Sequence, residues 1–489
     1  MKRVELTQKQ QECVEFPSDR DLIVTGVAGS GKSLVVVSRA VKFSRMAREA
    51  GEPIRIALFT FVNTLVSYTQ EVVAQGGRNA SQDVKVTTLD KEIIDLYKAI
   101  TRRRIDYSNL YDAKLHAAYL ADVISAIPLP EEISRKKILS EDRREWLMEE
   151  LCWIKQHMFT EAEQYLNCVR KGRGRVQLRR EDRPFVFELY RRYYAVLKEN
   201  SIKTIDMICE EIYQSRAKIP AAYRYDMVLI DEAQDLPLNK LLIARELAES
   251  SVTVAADFAQ KIYRTGFTWK EIGLDIKGRG SQKLRGTHRN TRQIAMLALG
   301  LQQRNTEEYE DGDITVPELP EREGPLPCLI YCSSLRKEGQ MMCNLARQIL
   351  IDSPNATIGI LARDFANFQW TANCLNDAGL PFEEVSKRHK ETRILTPGIK
   401  LVTYHSAKGL EFDQVILPRI DEGLFPYTLK EKDLSEEGIE NLMNNARNLL
   451  YVGMTRAREM LYMLATDGLD GSPSPLLDEL DASKLHIIR

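Results

Sequence analysis

Histidine and paired cysteine are scarce in this sequence. Six histidines and eight cysteines are spread over 489 residues, and the cysteines (Cys13, Cys152, Cys168, Cys209, Cys328, Cys332, Cys343 and Cys374) form no C-x-x-C pair. Such spacing signals neither a zinc site nor a disulfide framework, so most of these thiols are expected reduced and in the core. Long apolar runs are missing too: none reaches the roughly 18 residues that would span a bilayer. The opening residues Met1, Lys2, Arg3, Val4 and Glu5 lack the apolar stretch of a signal peptide. The expectation is a cytoplasmic protein without a membrane partner. An excess of one charge is also absent, since 69 Lys and Arg nearly cancel 70 Asp and Glu. Net charge therefore decides nothing about nucleic acid, and only local clustering can. What is there, 44% hydrophobic and 28% charged residues, excludes wholesale disorder and suits a globular protein of roughly three to four domain-sized units.

Along the chain, short apolar runs alternate with helical patterns, the signature of parallel sheets wrapped by helices. In the first part the buried-strand candidates are Leu22 to Thr25, Ile56 to Thr60, Met227 to Ile230 and Val252 to Ala256. Residues 91–204 between them read almost wholly as helix, an insertion into the sheet domain. A second series follows at Leu329 to Cys332, Ile358 to Leu361, Lys400 to Thr403, Val415 to Leu417 and Leu461 to Leu464. The expected fold is α/β, with one parallel-sheet core from 1–90 plus 205–283 and another from 284–489. Residues 305–327 and the acidic stretch Lys430 to Glu440 read as surface connections.

The strongest motif is Gly26-Val27-Ala28-Gly29-Ser30-Gly31-Lys32-Ser33, placed after a strand and before a helical run. It fits the phosphate loop G-x-x-x-x-G-K-S/T in its required context. Glycines let successive N–H groups turn toward a phosphate, Lys32 neutralises phosphate oxygens, and Ser33 ligates Mg²⁺. Gly26, Ala28, Gly29, Ser30 and Gly31 complete the cradle, and Arg39 on the following helix is added to the nucleotide-binding set. Asp231-Glu232-Ala233-Gln234-Asp235 follows the run Met227 to Ile230. An isolated acidic pair there would read as a helix cap. Beside a phosphate loop, Asp231 is expected to hold Mg²⁺ and Glu232 to orient and deprotonate a water. ATP and Mg²⁺ are the cofactors these motifs imply.

These motifs resemble the UvrD, Rep and PcrA group of superfamily 1 helicases, from Gln10 to Arg456 across both expected cores. The resemblance implies RecA-like cores, ATP hydrolysis and 3′ to 5′ movement on single-stranded or tailed duplex DNA. Leu6 to Val14 is similar to the adenine-reading Q motif, with Gln10 at its glutamine. Thr60-Phe61-Val62-Asn63 resembles motif Ia, which puts Phe61 and Asn63 on the strand. Ala256 to Tyr263 resembles motif III, in which Gln260 senses the γ-phosphate and Tyr263 lies at the strand. The family's stacking tryptophan falls near Thr265, with Phe267 and Trp269 as candidate substitutes. Thr287 to Thr291 resembles motif IV and assigns Arg289 to the γ-phosphate, while His288 reads as a solvated or satisfied residue. Thr403 to Phe412 is similar to motif V, giving Glu411 to the ribose and His405 to the strand. Tyr451 to Ala457 resembles motif VI, with Arg456 at the phosphate; the lead-in Asn445-Ala446-Arg447-Asn448 departs from the usual paired arginines.

The insertion supports nucleic-acid binding independently, because Arg170, Lys171, Arg173, Arg175, Arg179, Arg180, Arg183, Arg191 and Arg192 crowd one segment of a neutral chain. Arg173, Arg175, Arg179 and Arg180 are the phosphate-contact candidates, on a tip loosened by Gly172 and Gly174. The next segment sets Val186, Leu189, Tyr190, Tyr193 and Leu197 on one helical face, which reads as core. Only about 115 residues separate Arg289 from His405, too few for the large 2B accessory domain of full-length relatives. Compact helicases of this kind resemble the helicase-like subunit of the Gabija anti-phage system, which makes a nuclease a candidate partner. Three functions stay open: a DNA translocase, a nucleotide-gated DNA-sensing subunit of a repair or defence complex that unwinds weakly alone, and an RNA-directed ATPase.

Overall fold

Leu22–Gly26 (β1) and Ile56–Thr60 (β2) are buried at every position, as strands are when helices cover both faces of a parallel sheet. They belong to a computed structural model that describes the chain apart from residues 1–5, 28, 61–65, 67–68, 71–72, 74–79, 104, 171–177, 258–268, 275–279, 288, 305–317, 386–395 and 427–435. With β3 (Val84–Thr88), β4 (Tyr225–Ile230), β5 (Ala248–Ala256) and β6 (Ser281–Leu284) they form a sheet ordered β3-β2-β4-β5-β1-β6. All its pairings are parallel. The register aligns Thr25 with Ala256 and Phe59 with Ile230, so the phosphate-loop motif and the acidic motif leave the same carboxyl edge. That edge is where ligands bind in open α/β sheets.

The second sheet is also wholly parallel. It contains β7 (Cys328–Cys332), β8 (Thr357–Ala362), β9 (Phe382–Val385), β10 (Gly398–Thr403), β11 (Phe412–Leu417), β12 (Ala457–Thr466) and β13 (His486–Ile488). Their order is β13-β7-β12-β11-β8-β10-β9. The chain is thus two parallel α/β cores with a helical cluster carried by the first. That cluster has its own core, in which Leu120, Trp146, Leu151, Trp153 and Tyr165 meet Val186, Leu189, Tyr190 and Tyr193 of the helix Arg183–Glu199. Among the described residues no helix is long and apolar enough to cross a membrane.

Three expectations need correction. The helix Leu89–Thr101, read as the start of the insertion, packs Leu89, Ile93, Leu96 and Tyr97 with Phe59, Val228 and Ile230 of the first core; its apolar face matches the sheet, and the separate cluster begins after it. Of the acidic stretch Lys430 to Glu440, residues 430–435 lie outside the described residues and the rest begins the helix Glu436–Met454, whose Leu449, Leu450 and Met454 are drawn into the second core. The strands β3, β6, β9 and β13 are additional to those expected.

The second core is tied together around Glu338, a fully buried carboxylate on the helix Leu335–Asp352. It accepts 2.6 Å bonds from the Arg419 N–H and the Thr466 hydroxyl, and Asp421 accepts the Thr466 N–H at 2.9 Å. Burial, and then Asp421, raise its carboxyl from an ordinary 4.5 to about 7. A carboxyl raised by folding takes up protons more readily in the native state, so its contribution is full below the unfolded value and fades as pH climbs through the folded one. Chemical denaturation should therefore find the second core losing on the order of 2 kcal/mol between pH 4.5 and 7.5, with Glu338→Gln flattening that slope. An unchanged slope in the variant would assign the pH dependence to other groups.

Candidate functional site between the two cores

β1 ends in a turn that only glycine makes cheaply. Gly29 and Gly31 have φ of +73° and +83°, the left-handed region that penalises a side chain. The helix Lys32–Ala50 starts there and stops at Gly51, whose N–H caps the carbonyls of Ala47 and Arg48. A Cβ on Gly29 would stand 2.6 Å from the Cβ of Arg289, so a residue of the segment leading into the second core lies directly against the loop.

Lys32 donates to the carbonyls of Gly26 at 2.9 Å and Val27 at 2.8 Å and pairs with Asp257 at 3.1 Å. Asp231 follows β4, held by its N–H on the Phe59 carbonyl at 2.9 Å. Burial and Glu232 raise its carboxyl, against a hydrogen bond from Ser33 and the charge of Lys32. Glu232 takes a left-handed φ of +56°, strain of the kind found where function aims a side chain. Burial pushes its carboxyl up, but Lys408 and Lys32 outweigh that and hold it below the usual range. Gln234 bridges the pieces: its Nε2 donates to Glu232 at 2.6 Å, and its Oε1 accepts the Asp257 N–H at 3.0 Å.

The second core closes the other side. Arg289 pairs with Glu411 at 2.6 Å, and its carbonyl accepts from Arg322 at 2.9 Å. Asn290 fastens the same segment to the start of β12 through the carbonyls of Thr455 and Ala457. Arg456 is buried, with Nε on the Val452 carbonyl at 2.9 Å and Nη1 on that of Leu410 at 3.3 Å. Burial, and then Arg289, lower its guanidinium to about 10, against the carboxylates of Glu232, Glu411 and Asp257. Glu411 is lowered by Arg289 and Arg456 in spite of burial. Lys408, which the motif V resemblance leaves without a role, crosses between the cores to Asp235 and lies 3.8 Å from Glu232. No local signal could have found that contact, since the partners are 173 residues apart.

Family models match residues 6–267 (UvrD/REP helicase N-terminal domain) and 383–468 (UvrD-like helicase C-terminal domain). The chain belongs to the UvrD/Rep helicase family. A probable DNA helicase II homolog of Rickettsia conorii is 46% identical over 65 residues, 13% of this chain and 9% of that protein. The ATP-dependent DNA helicase PcrA of Staphylococcus aureus is 38% identical over 96 residues, 18% of this chain and 13% of that protein. The chain thus aligns with a small fraction of the length of these curated relatives. Among solved structures, the C-terminal domain of a possible DNA helicase from Lactobacillus plantarum covers 42% of this chain and 99% of its own, at 20% identity and a TM-score of 0.30.

Several residues singled out in the sequence make other contacts in the structure. Arg39 is fully buried and donates to the carbonyls of Cys13 at 2.8 Å, Phe16 at 2.7 Å and Pro17 at 3.3 Å. It satisfies the carbonyls at the end of the helix Gln8–Glu15, groups with no partner inside that helix. Gln10 accepts the Thr7 N–H at 2.9 Å and donates to the Ser30 carbonyl at 2.9 Å, so its amide braces the phosphate loop. Trp269 is 3% exposed in the first core and offers no face for a base. In the basic segment Arg170 forms a double hydrogen bond with buried Glu150 at 2.7 and 2.8 Å. Arg183 is spent on the carbonyls of Tyr165, Leu166 and Cys168.

Of the residues expected at the strand, His405 is half-buried on the turn after β10. Arg179 is 68% exposed beside Glu181, and exposed Arg180 reaches Asn167 at 2.5 Å. Ala28, Phe61, Asn63, Gln260, Tyr263, Phe267, His288, Arg173 and Arg175 lie outside the described residues. The post found for Arg39 is testable: Arg39→Met should cost on the order of 3 kcal/mol of stability, because it strips hydrogen bonds from several buried carbonyls. Thermal melts would check it, and a variant as stable as the parent would show that these bonds do not hold the helix end.

Proposed function

We propose that this chain is an ATP-driven DNA translocase, and a helicase on suitable substrates, powered by opening and closing of the cleft between its two cores. The observation that carries the reading is the convergence of both cores on one phosphate loop, Arg289 against Gly29 and Lys408 against Asp235 and Glu232. The residues fit a nucleotide: Gly29 and Gly31 turn the loop backbone at positive φ ahead of the helix that starts at Lys32, the setting in which loop N–H groups face a phosphate. The Ser30 hydroxyl and Arg289 Nε are buried polar atoms without a hydrogen-bond partner among the described residues, a condition that favours a polar ligand. Lys32 and the loop N–H groups would hold the phosphates, with Ser33 and Asp231 the Mg²⁺.

Bound MgATP supplies the phosphoanhydride whose hydrolysis releases the free energy for movement. Glu232 is suited to accept the proton of an attacking water, being ionised and aimed by Gln234. Arg289 and Arg456 are suited to neutralise charge developing on the terminal phosphate. Because they belong to the second core, their attraction to phosphate would draw the cores together and its loss would release them. A DNA strand crossing both cores through His405 on one and the motif Ia segment on the other would then advance with each cycle. We take the direction as 3′ to 5′ and the strand as DNA from the family resemblance. The short interval between Arg289 and His405 favours a second reading, a nucleotide-gated DNA-sensing subunit that unwinds weakly without a partner such as a nuclease.

ATP hydrolysis measured with and without single-stranded DNA and RNA, followed by strand separation on 3′- and 5′-tailed duplexes, distinguishes these readings. DNA-stimulated hydrolysis with 3′-tailed unwinding is expected. Lys32→Ala should abolish hydrolysis, and Glu232→Gln should lower it at least about 100-fold while ATP still binds; normal turnover in either variant would remove the proposed site. Replacing Arg173, Arg175, Arg179 and Arg180 together by Gln should weaken DNA binding and reduce the slope of log affinity against log salt by about 1 for each phosphate no longer neutralised. A salt slope equal to that of the parent would place the strand elsewhere.

A further inference from the structure

Lys408 belongs to the second core by sequence and to the first by its contacts. It lies on the turn after β10, is 2% exposed, and directs its ammonium onto Asp235 with Glu232 at 3.8 Å. The turn is internally braced: the Ala407 N–H donates to the Thr403 carbonyl at 2.8 Å, and the Ser406 N–H to the Thr403 hydroxyl at 3.2 Å. His405, the residue expected at the strand, sits inside this unit, so a shift of the turn carries Lys408 with it.

The receiving side is equally short. Asp235 closes the single turn Ala233–Asp235, with its N–H on the Glu232 carbonyl at 3.2 Å. Gln234 in the middle holds the Glu232 carboxylate at 2.6 Å and the Asp257 N–H at 3.0 Å, and Asp257 holds Lys32 at 3.1 Å. Tension on Asp235 is therefore felt at Glu232 and, three contacts further, at the lysine of the phosphate loop. The buried Lys408 ammonium thus connects the turn that carries His405 to the acidic motif of the first core.

We infer that Lys408 is a positioning residue that sets the Glu232 carboxylate through Asp235 and so transmits strand occupancy to hydrolysis. The inference rests on the translocase reading above and names the contact through which DNA would stimulate turnover. Lys408 itself need not touch nucleotide or DNA. Its loss should act on kcat in the presence of DNA and spare apparent ATP affinity.

The test measures kcat and KM for ATP with the full chain, with and without saturating oligo-dT. Lys408→Met is expected to lower DNA-stimulated kcat at least about tenfold while KM moves less than about threefold. Lys408→Arg, which keeps the charge, should retain most of the stimulation. In D235N/K408M both buried charges are removed together, and the stimulated kcat should be no lower than in the worse single variant, as for two residues acting through one contact. The double variant carries the test if Lys408→Met does not fold. Stimulation equal to the parent in Lys408→Met or in the double variant, or losses that multiply when the changes are combined, would overturn the inference alone. A parent chain whose hydrolysis ignores DNA would overturn the translocase reading and this inference with it.

Discussion

Charge taken out of water must be met by opposite charge, and the cleft between the cores is organised by that requirement. Lys32, Lys408 and Arg456 are buried there, and so are Asp231, Glu232, Asp235 and Asp257. Neither core is balanced alone at this surface: the first contributes the four carboxylates and Lys32, while Lys408 and Arg456 come from the second. Contact between the cores is therefore partly an exchange of charge. Because a buried pair recovers little more than its desolvation cost, closing the cleft and re-wetting it differ by a small free energy. A cleft near that balance can be tipped by the differential affinity of one ligand for the closed form.

The fold was legible where burial is continuous. β1, β2, β4, β8 and β10 are runs that a parallel sheet covered on both faces demands, and each is visible as an apolar block. The strands that escaped are those whose surroundings relax the demand. β3 carries exposed Lys85 and lies at the sheet edge beyond β2, while β6 and β9 are four-residue edge strands with polar centres. β13 is three exposed residues on the opposite edge of the second sheet. An edge strand needs only one partner and one covered face, so its composition carries little signal. The helix Leu89–Thr101 was misallotted for a related reason: an amphipathic pattern reports that a face is buried, not what buries it.

The site divides in the same way. The phosphate loop and the acidic pair are local motifs, each built where a strand ends and the backbone turns, and local spacing reveals them. Arg39 and Gln10, read from the sequence as nucleotide-binding, have polar partners closer by within the first core. One satisfies carbonyls at a helix end, and the other ties a capping turn to Ser30. Lys408 was invisible because its meaning depends on a partner 173 residues away. Sequence spacing identifies residues that act through the backbone they stand on, and it is silent about those that act across an interface.

The basic segment illustrates the point at the level of one side-chain type. Arg170 and Arg179 are both arginines in a charge-rich stretch, yet Arg170 lies on a carboxylate that is itself fully buried and also holds the Tyr165 hydroxyl at 2.7 Å. Removing that arginine would leave Glu150 uncompensated in the cluster core, so its charge is committed to the fold. Arg183 is committed likewise, to carbonyls of the chain entering the segment. These two inward arginines stand at either side of Arg179 and Arg180, whose guanidinium groups face solvent and make contacts of the exposed kind that contribute little to stability. A polyanion can recruit such charges without unfolding anything. The positive charge this segment presents to solvent is thus smaller than the arginine count suggests, because Arg170 and Arg183 at its flanks are committed to the packed helical core.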